Sequence, residues 1–493
     1  MEHFEEERNQ DTKKFSQQFI NGEFRTGRGA KVVTSIDPYT NEELTRIQGA
    51  SREDVEDAYL SAQLAQREWM KLLPTQRRDV FLSALGILSR RKEEIVDLLI
   101  RETGSTLQKA QLEWSLVYEG TLEASTYPLR LRGEIIPSTI PGKKSYAVKK
   151  PVGVVGVISP WDFSLQLTNR SVAPALAAGN GVVLKPASST PITGGLLFAE
   201  IYQEAGLPKG LLNVVIGDTG EIGDAFVENS IPKLITFTGS TQVGRRIGEL
   251  CGKHLKKASL ELGGNSPFVI LDDADIDAAV EAAAFGKFLN AGQICMAINR
   301  IIVDSKVYDE FLAKFVDKVK GLTYGDPMLE SSAYGPMINK KQFDRVQELV
   351  ESAIAEGAQE VYNGPSSGLV MHPVILAGVT NDMEISQTEI FGPVALILKV
   401  SDEEEALRVA NETEFGLSSA VFSKNLARAY AFAERIEAGM THVNDMTIND
   451  EASSPFGGEK NSGIGRFGGE WALREMTTDH WITIQETDRR YLF

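Results

Sequence analysis

Cys295 is one of two cysteines in a chain of 493 residues, and it lies in Phe288-Leu-Asn-Ala-Gly-Gln-Ile-Cys-Met-Ala-Ile-Asn-Arg300. Gly292 precedes it by three residues, and the apolar run Ile301-Ile-Val303 follows. A second unusual stretch upstream, Leu260-Glu-Leu-Gly-Gly-Asn265, sets the carboxylate of Glu261 beside two adjacent glycines. A thiol and a carboxylate on separate loops suit covalent catalysis, in which the thiolate attacks and the carboxylate activates water. A free cysteine is more often a small buried apolar side chain, so the surrounding pattern has to decide.

The elements that would position these groups are legible as alternating strands and helices. Residues 1–16 read as a polar tail. Short strands are expected at Phe19–Phe24, around Asn21-Gly22, and at Ala30–Ser35, with a turn at Asp37–Asn41. Ser51-Arg-Glu-Asp54 is a capping box that opens a helix through Trp69. A long helix after Pro74 is expected to run to Thr103, and a third from Leu107 to Ser125. From Pro151 the order becomes strand–helix–strand: strands at 152–158, 181–185, 213–216 and 234–237, helices at 165–178, 190–205, 220–228 and 241–253. Such alternation predicts a doubly wound sheet with ligands beyond the strand carboxyl ends. After Leu262 a second alternating region begins. Its strands are expected at 267–271, 301–303, 419–422 and 441–444, and its helices at 275–289, 308–319, 340–356, 403–411 and 425–436. Leu129–Ile136 and Ser145–Lys150 carry many charges and flank Pro141-Gly142, so they read as an exposed two-stranded ribbon. An isolated ribbon is marginal in water, and Trp481–Glu486 is a candidate partner strand.

Phosphate-binding signals differ in quality. Gly463-Ile-Gly-Arg-Phe-Gly468 has glycine-loop spacing, but no strong strand precedes it and too little chain follows for a dinucleotide-binding unit. Phe237-Thr-Gly-Ser-Thr-Gln-Val-Gly244 follows a strand and opens a helix, so its first amides point at an anion. Three further strand ends gather at the same edge: Ser159-Pro-Trp161, Lys185-Pro-Ala-Ser188 and Gly217-Asp-Thr-Gly220. A lysine ending a buried strand suits a ribose or phosphate oxygen; the alternative is a solvated loop lysine.

The formal net charge of −17 argues against nucleic-acid and anionic-membrane partners. Two cysteines make no disulfide framework, which fits a reducing compartment. The acidic start, Met1–Arg8, is not a secretory signal, and no apolar run is long enough to span a bilayer. The expectation is a cytoplasmic protein. The five histidines are scattered, and no metal-ligand spacing is present.

Taken together, Leu260-Glu-Leu-Gly-Gly-Asn265, Asn290-Ala-Gly-Gln-Ile-Cys295, Phe237-Thr-Gly-Ser-Thr241, Glu389-Ile-Phe-Gly-Pro393 and Pro455-Phe-Gly-Gly458 resemble the aldehyde dehydrogenase superfamily in order and approximate spacing, over about residues 19–485. The resemblance implies an NAD(P)-dependent oxidation of an aldehyde to a carboxylic acid, through a thiohemiacetal and thioester on Cys295. Glu261 would activate the hydrolytic water, and its presence favours a free acid over acyl transfer to coenzyme A. The implied architecture is a Rossmann-like cofactor domain (1–128 and 151–259), an α/β catalytic domain (260–465), and an oligomerisation element (129–150 and 466–493). The ribbon would meet the C-terminal strand across a subunit contact in a homodimer or homotetramer. The implied cofactor contacts are Ile158, Pro160, Trp161, Lys185, Ser188, Gly217, Gly239, Ser240, Val243, Gly244, Leu262, Glu389 and Phe391. Among them Ser240 would meet the pyrophosphate, Val243 the adenine, Glu389 the nicotinamide ribose, and Phe391 would flank the nicotinamide.

Two positions depart from the family pattern. Asp162, in Ser159-Pro-Trp-Asp-Phe163, stands where relatives usually have the asparagine that donates to the oxyanion; an ionised aspartate cannot donate. It is either held protonated, replaced in this role by another donor, or a mark of a weakly active member kept for binding. Ser188 stands where NAD-preferring relatives often carry glutamate, so with Lys185 it tolerates NADP and predicts NADP or dual use. Phe163, Leu167, Arg170, Ile294, Met296 and Phe456 would line a largely apolar substrate tunnel. That suits an aromatic aldehyde of the benzaldehyde or vanillin type. The alternative is a semialdehyde whose carboxylate meets Arg170.

Overall fold

The computed structural model describes residues 12–493. The expected tail lies outside the described residues up to position 11. Beyond that it is not a frayed tail: Thr12 and Phe15 are buried, and the Thr12 hydroxyl donates to the Leu44 carbonyl. An aromatic ring pays little to be buried against the first core, so it ties the chain down.

The first sheet has eight strands, in the order Glu23–Arg25, Gln18–Ile20, Leu212–Val214, Gly181–Lys185, Val154–Ile158, Leu234–Thr238, Lys257–Glu261 and Gly463–Ile464. The five from Leu212–Val214 to Lys257–Glu261 are parallel, and both flanking pairings are antiparallel. Valine and isoleucine dominate these strands because both faces are covered by helices. The capping box at Ser51 forms as read, with Ser51 and Asp54 serving each other's backbone amides at the start of Arg52–Trp69.

The second sheet has seven strands, in the order Gln359–Asn363, Val374–Ala377, Val394–Val400, Arg300–Asp304, Pro267–Ile270, Ser418–Phe422 and Met440–Val443. All but the first edge pairing are parallel. A mixed α/β architecture with two largely parallel sheets therefore stands as expected.

Several boundaries differ from expectation, each for a local reason. The long helix after Pro74 is two helices, Pro74–Arg90 and Lys92–Thr103. Between them Arg91 leaves helical geometry, and its guanidinium binds Glu94 and Glu200. The third helix continues past Ser125 to Arg130, with Pro128 near its end. It therefore consumes the start of the expected ribbon, whose first strand is only Glu134–Ile136. The strands Lys257–Glu261, Gln359–Asn363, Val374–Ala377 and Val394–Val400 were not expected. The first two are short and polar enough to pass for loops, and only pairing to a neighbour makes them strands.

The C-terminal strand Thr477–Gln485 pairs antiparallel with Lys143–Pro151 along its whole length, and Glu134–Ile136 pairs on the other side. The partner strand was identified correctly, but the pairing lies within the chain, not across a subunit contact. The ribbon is thus a three-stranded sheet, which satisfies the minimum for stability in water.

Candidate active site

The cysteine loop begins where Ile276–Phe288 ends. Asn290, Ala291 and Gly292 follow with φ of 53°, 56° and 69°, three left-handed residues in succession. Such a turn is costly for side chains with a Cβ, and its cross-links hold it. Asn290 Nδ2 donates to the Gln293 carbonyl (3.1 Å), while Gln293 Nε2 donates to the Asn290 and Pro336 carbonyls. At Gly292 a Cβ would come within 2.3 Å of the Gly392 carbonyl oxygen, so glycine is required there. The turn delivers Cys295 into a buried position. Burial raises its thiol pKa well above the ordinary value, and Glu261 and Asp162 add to the rise. The resting group is a thiol, and forming the nucleophile needs an acceptor for its proton.

Glu261 is not on a loop. It is the last residue of Lys257–Glu261, in register with Thr238 on one side and Gly463 on the other. Gly463 thereby finds its purpose. A Cβ there would lie 2.1 Å from the Leu260 carbonyl oxygen, and Gly463-x-Gly is an edge pairing beside the carboxylate, not a phosphate loop. Glu261 is fully buried, and its pKa is raised by that burial and by Asp450. Arg170 opposes the rise, as do the neighbouring Cys295 and Thr238 side chains.

Arg170 is not free to meet a substrate. Its Nη2 donates to Glu261 Oε2 at 3.2 Å, its Nη1 lies 3.5 Å from Asp450 Oδ2, and its guanidinium stacks 3.9 Å from the centre of the Phe456 ring. This removes the basis for a semialdehyde carboxylate at Arg170. Phe456 packs against Arg170 and, like Arg170, is absent from the cavity wall.

That cavity, about 250 Å³, opens beside Cys295 and Asp162. Phe163, Leu167, Ile294 and Met296 line it as expected of tunnel residues. Sequence reasoning missed Leu112, Leu116, Phe285, Leu289, Met446, Ile448 and Asp450 in the same wall. Helical spacing could have flagged Leu112 and Leu116, but nothing local marks the 446–450 loop. Asp162 is buried, and burial together with Glu261 raises its pKa to about 7. Asn169 does not replace it, because its amide is engaged with the Val117 carbonyl and the Thr121 hydroxyl.

The segment carrying Asp162 is held by a wholly buried ion pair between Lys109 and Glu113. Lys109 Nζ also donates to the Asp162 carbonyl at 2.8 Å and sits 4.0 Å over the Phe163 ring. Glu113 Oε1 accepts from the amides of Leu165 and Gln166, the open start of Ser164–Ala177. This pair escaped the sequence reading, although Lys and Glu at i and i+4 of one helix were a visible signal.

A larger cleft, about 820 Å³, lies along the carboxyl ends of the first sheet. Ile158, Pro160, Trp161, Lys185, Ser188, Gly239, Ser240 and Val243 line it. Lys185 is a buried strand end, not a solvated loop lysine, and burial lowers its pKa to about 8. Ser240 stands at the N-cap of Thr241–Lys253 with its hydroxyl uncommitted to the helix. A cationic group, a helix N-terminus and an accessible hydroxyl fit a dinucleotide's phosphates and ribose. Gly217, Gly244 and Leu262 lie off the cleft. Gly217 abuts Ala50 and Ile222, and Gly244 packs against Leu262. Glu389 is half-buried, accepts from the Gly264 amide at 3.0 Å, and has its pKa raised by desolvation to about 7. Phe391 has a φ of 55° and meets Trp161 edge-on at 5.3 Å, so it reaches the cleft from the second unit. Another cleft, about 690 Å³ and including Thr380, Arg408 and Glu412, holds none of the predicted residues. No cluster of three metal-ligating side chains occurs among the described residues.

With this geometry in place, known proteins provide a comparison. The profile of the aldehyde dehydrogenase family matches residues 24–482. A vanillin dehydrogenase from Corynebacterium glutamicum is 50% identical over 470 residues, covering 95% of this chain and 97% of the relative. A benzaldehyde dehydrogenase from Bacillus subtilis is 49% identical over 476 residues, covering 97% and 98%. The crystal structure of an NAD-dependent benzaldehyde dehydrogenase from Corynebacterium glutamicum superposes with a TM-score of 0.88 at 48% identity, covering 95% of this chain and 98% of that one.

Proposed function

This chain belongs to the aldehyde dehydrogenase family, and from that premise we propose that it oxidises aromatic aldehydes to carboxylic acids with NAD(P)+. The observation that carries the reading is that Cys295 and Asp162 stand in the wall of one mainly apolar cavity, with the buried Glu261 carboxyl close enough to act on the Cys295 thiol. Cys295, once its proton has passed to a neighbouring base, attacks the aldehyde carbon, and the carbonyl oxygen becomes an oxyanion. Asp162, in its neutral form, donates to that oxyanion together with the cysteine backbone amide. NAD(P)+ bound in the large cleft would supply the acceptor for the hydride. Glu261 then takes a proton from water, which attacks the thioester carbon; the thiolate leaves and the acid is released.

Lys185, Ser188, Ser240, Val243, Glu389 and Phe391 are the residues we assign to cofactor binding. Gly239 keeps the approach to the helix N-terminus open. The exposed hydroxyl of Ser188 does not repel a 2′-phosphate, which with Lys185 supports use of both cofactors. Residues 12–128 and 151–259, extended by the strand ending at Glu261, form the cofactor unit in this reading. Residues 262–465 form the catalytic unit, and the ribbon with the C-terminal strand is the oligomerisation element. A homodimer or homotetramer is proposed, located in the cytoplasm, where two unpaired cysteines would stay reduced. Among the described residues no helix is long and apolar enough to cross a membrane.

Absorbance at 340 nm with benzaldehyde, vanillin and succinate semialdehyde, each with NAD+ and NADP+, tests the assignment. Reduction with the aromatic aldehydes, without coenzyme A, is expected. Reduction with succinate semialdehyde alone, or an absolute requirement for coenzyme A, would overturn it.

A further inference from the structure

Arg170 projects from Ser164–Ala177 into a place where no cation is exposed to the substrate cavity. Its side chain is 5% exposed, bonded to Glu261 at 3.2 Å and 3.5 Å from Asp450. Asp450 is itself held by Gln166 Nε2 at 3.1 Å. The guanidinium lies 3.9 Å from the Phe456 ring centre and 4.9 Å from that of Phe467, and those two residues exchange backbone hydrogen bonds with each other. A planar fork that bridges two carboxylates and stacks on two rings has little freedom left.

We propose that Arg170 is the positioning residue of the general base: it holds Glu261 as a carboxylate aimed at Cys295, while Asp450, Phe456 and Phe467 hold Arg170. The inference rests on Glu261 being the base of thioester hydrolysis. It also turns Arg170 from a substrate contact into an internal one, and leaves Asp450 in the cavity wall to disfavour anionic aldehydes.

The groups facing Glu261 come from five segments. Arg170 comes from its helix, Cys295 from the loop after Phe288, Asp162 from the loop after Val154–Ile158, Asp450 from the 446–450 loop, and Glu389 from the segment before Val394–Val400. Burial and Asp450 favour the protonated carboxyl of Glu261, and Arg170 favours the charged one. Removing Arg170 and removing the charge of Asp450 must therefore move the base in opposite directions, which a purely structural role would not do.

The test is the pH profile of kcat with saturating benzaldehyde and NAD+, for the full-length enzyme and four variants. Arg170→Met should shift the acid limb upward by about one pH unit or more. Arg170→Lys, which keeps the charge but loses the fork, should shift it less. Asp450→Asn should shift it downward, and Glu261→Gln should abolish it. If Glu261→Gln keeps the limb, the base assignment fails and this inference falls with it. If Glu261→Gln abolishes the limb while the Arg170 and Asp450 variants leave it in place, the base stands and only the role of Arg170 is overturned. Should Arg170→Met not fold, the lysine and asparagine variants still decide the sign.

Discussion

At the scale of single residues, three acidic groups and one guanidinium share a buried volume. Cys295, Glu261 and Asp162 cannot all be ionised beside Arg170, so their titrations are coupled. Burial makes Asp162 the group that keeps its proton, at about 7, when an exposed aspartate would have lost it. A neutral carboxyl donates as the usual asparagine amide does; an ionised one repels the oxyanion. The sign follows directly. As pH rises through about 7 the donor is lost, so kcat should fall on the alkaline side. Asp162→Asn should remove that fall and leave the acid limb in place, and Asp162→Ala should cost about 10²–10³ in kcat at pH 6. Stopped-flow and steady-state rates across pH 5.5–9 (roughly the span of His and carboxylate titration) check both statements. An alkaline limb that survives in Asp162→Asn would sink the neutral-donor reading.

At the scale of elements, the site is set by ends and starts: a strand ending at Glu261, a helix starting at Ser164, a left-handed turn after Phe288. The buried pair Lys109–Glu113 ties two of the helices together. One end grips the Asp162 carbonyl, and the other satisfies the open amides of Leu165 and Gln166. Breaking such a pair leaves an uncompensated charge inside. Glu113→Ala should therefore destabilise the protein by about 3–5 kcal/mol in reversible denaturant unfolding. Replacing both partners with apolar residues should cost less, because no charge is stranded, but catalysis should still fall as the Asp162 segment loosens. A Glu113→Ala loss no larger than that of a typical exposed substitution would remove this clamp from the account.

At the scale of the whole molecule, the ribbon stands out. Its third strand, Thr477–Gln485, comes from the same chain, so the three-stranded sheet needs no partner to form. It nevertheless exposes Ile135 at 81% and Trp481 at 69%, large apolar side chains that a monomer has little reason to display. The register sets Ile135 in the row of Tyr146 and Ile482 and Trp481 in the next row, so the two point to opposite faces, and we expect the exposed ribbon to carry the subunit contact. Ile135→Lys with Trp481→Lys should lower the mass measured by light scattering while far-UV circular dichroism is unchanged. An unaltered mass would place the contact elsewhere.

The sequence by itself determined the local and periodic features: the capping box at Ser51, the βα alternation from Pro151 onward, the helix-opening Ser240, and the Cys295 and Glu261 motifs. Each is written in contiguous residues, where spacing alone encodes geometry. Part of the cavity wall, Phe163, Leu167, Ile294 and Met296, was legible in the same way, through motif neighbourhood. Only the tertiary structure decided what depends on residues far apart in the chain. It made Lys257–Glu261 a strand, because Leu234–Thr238 and Gly463–Ile464 lie on either side to accept its hydrogen bonds. It turned Arg170 away from substrate, because Glu261, Asp450 and Phe456 arrive from three other segments. It also placed Asp162 where burial withholds its charge, since desolvation is a property of everything packed around a group and not of its neighbours in sequence.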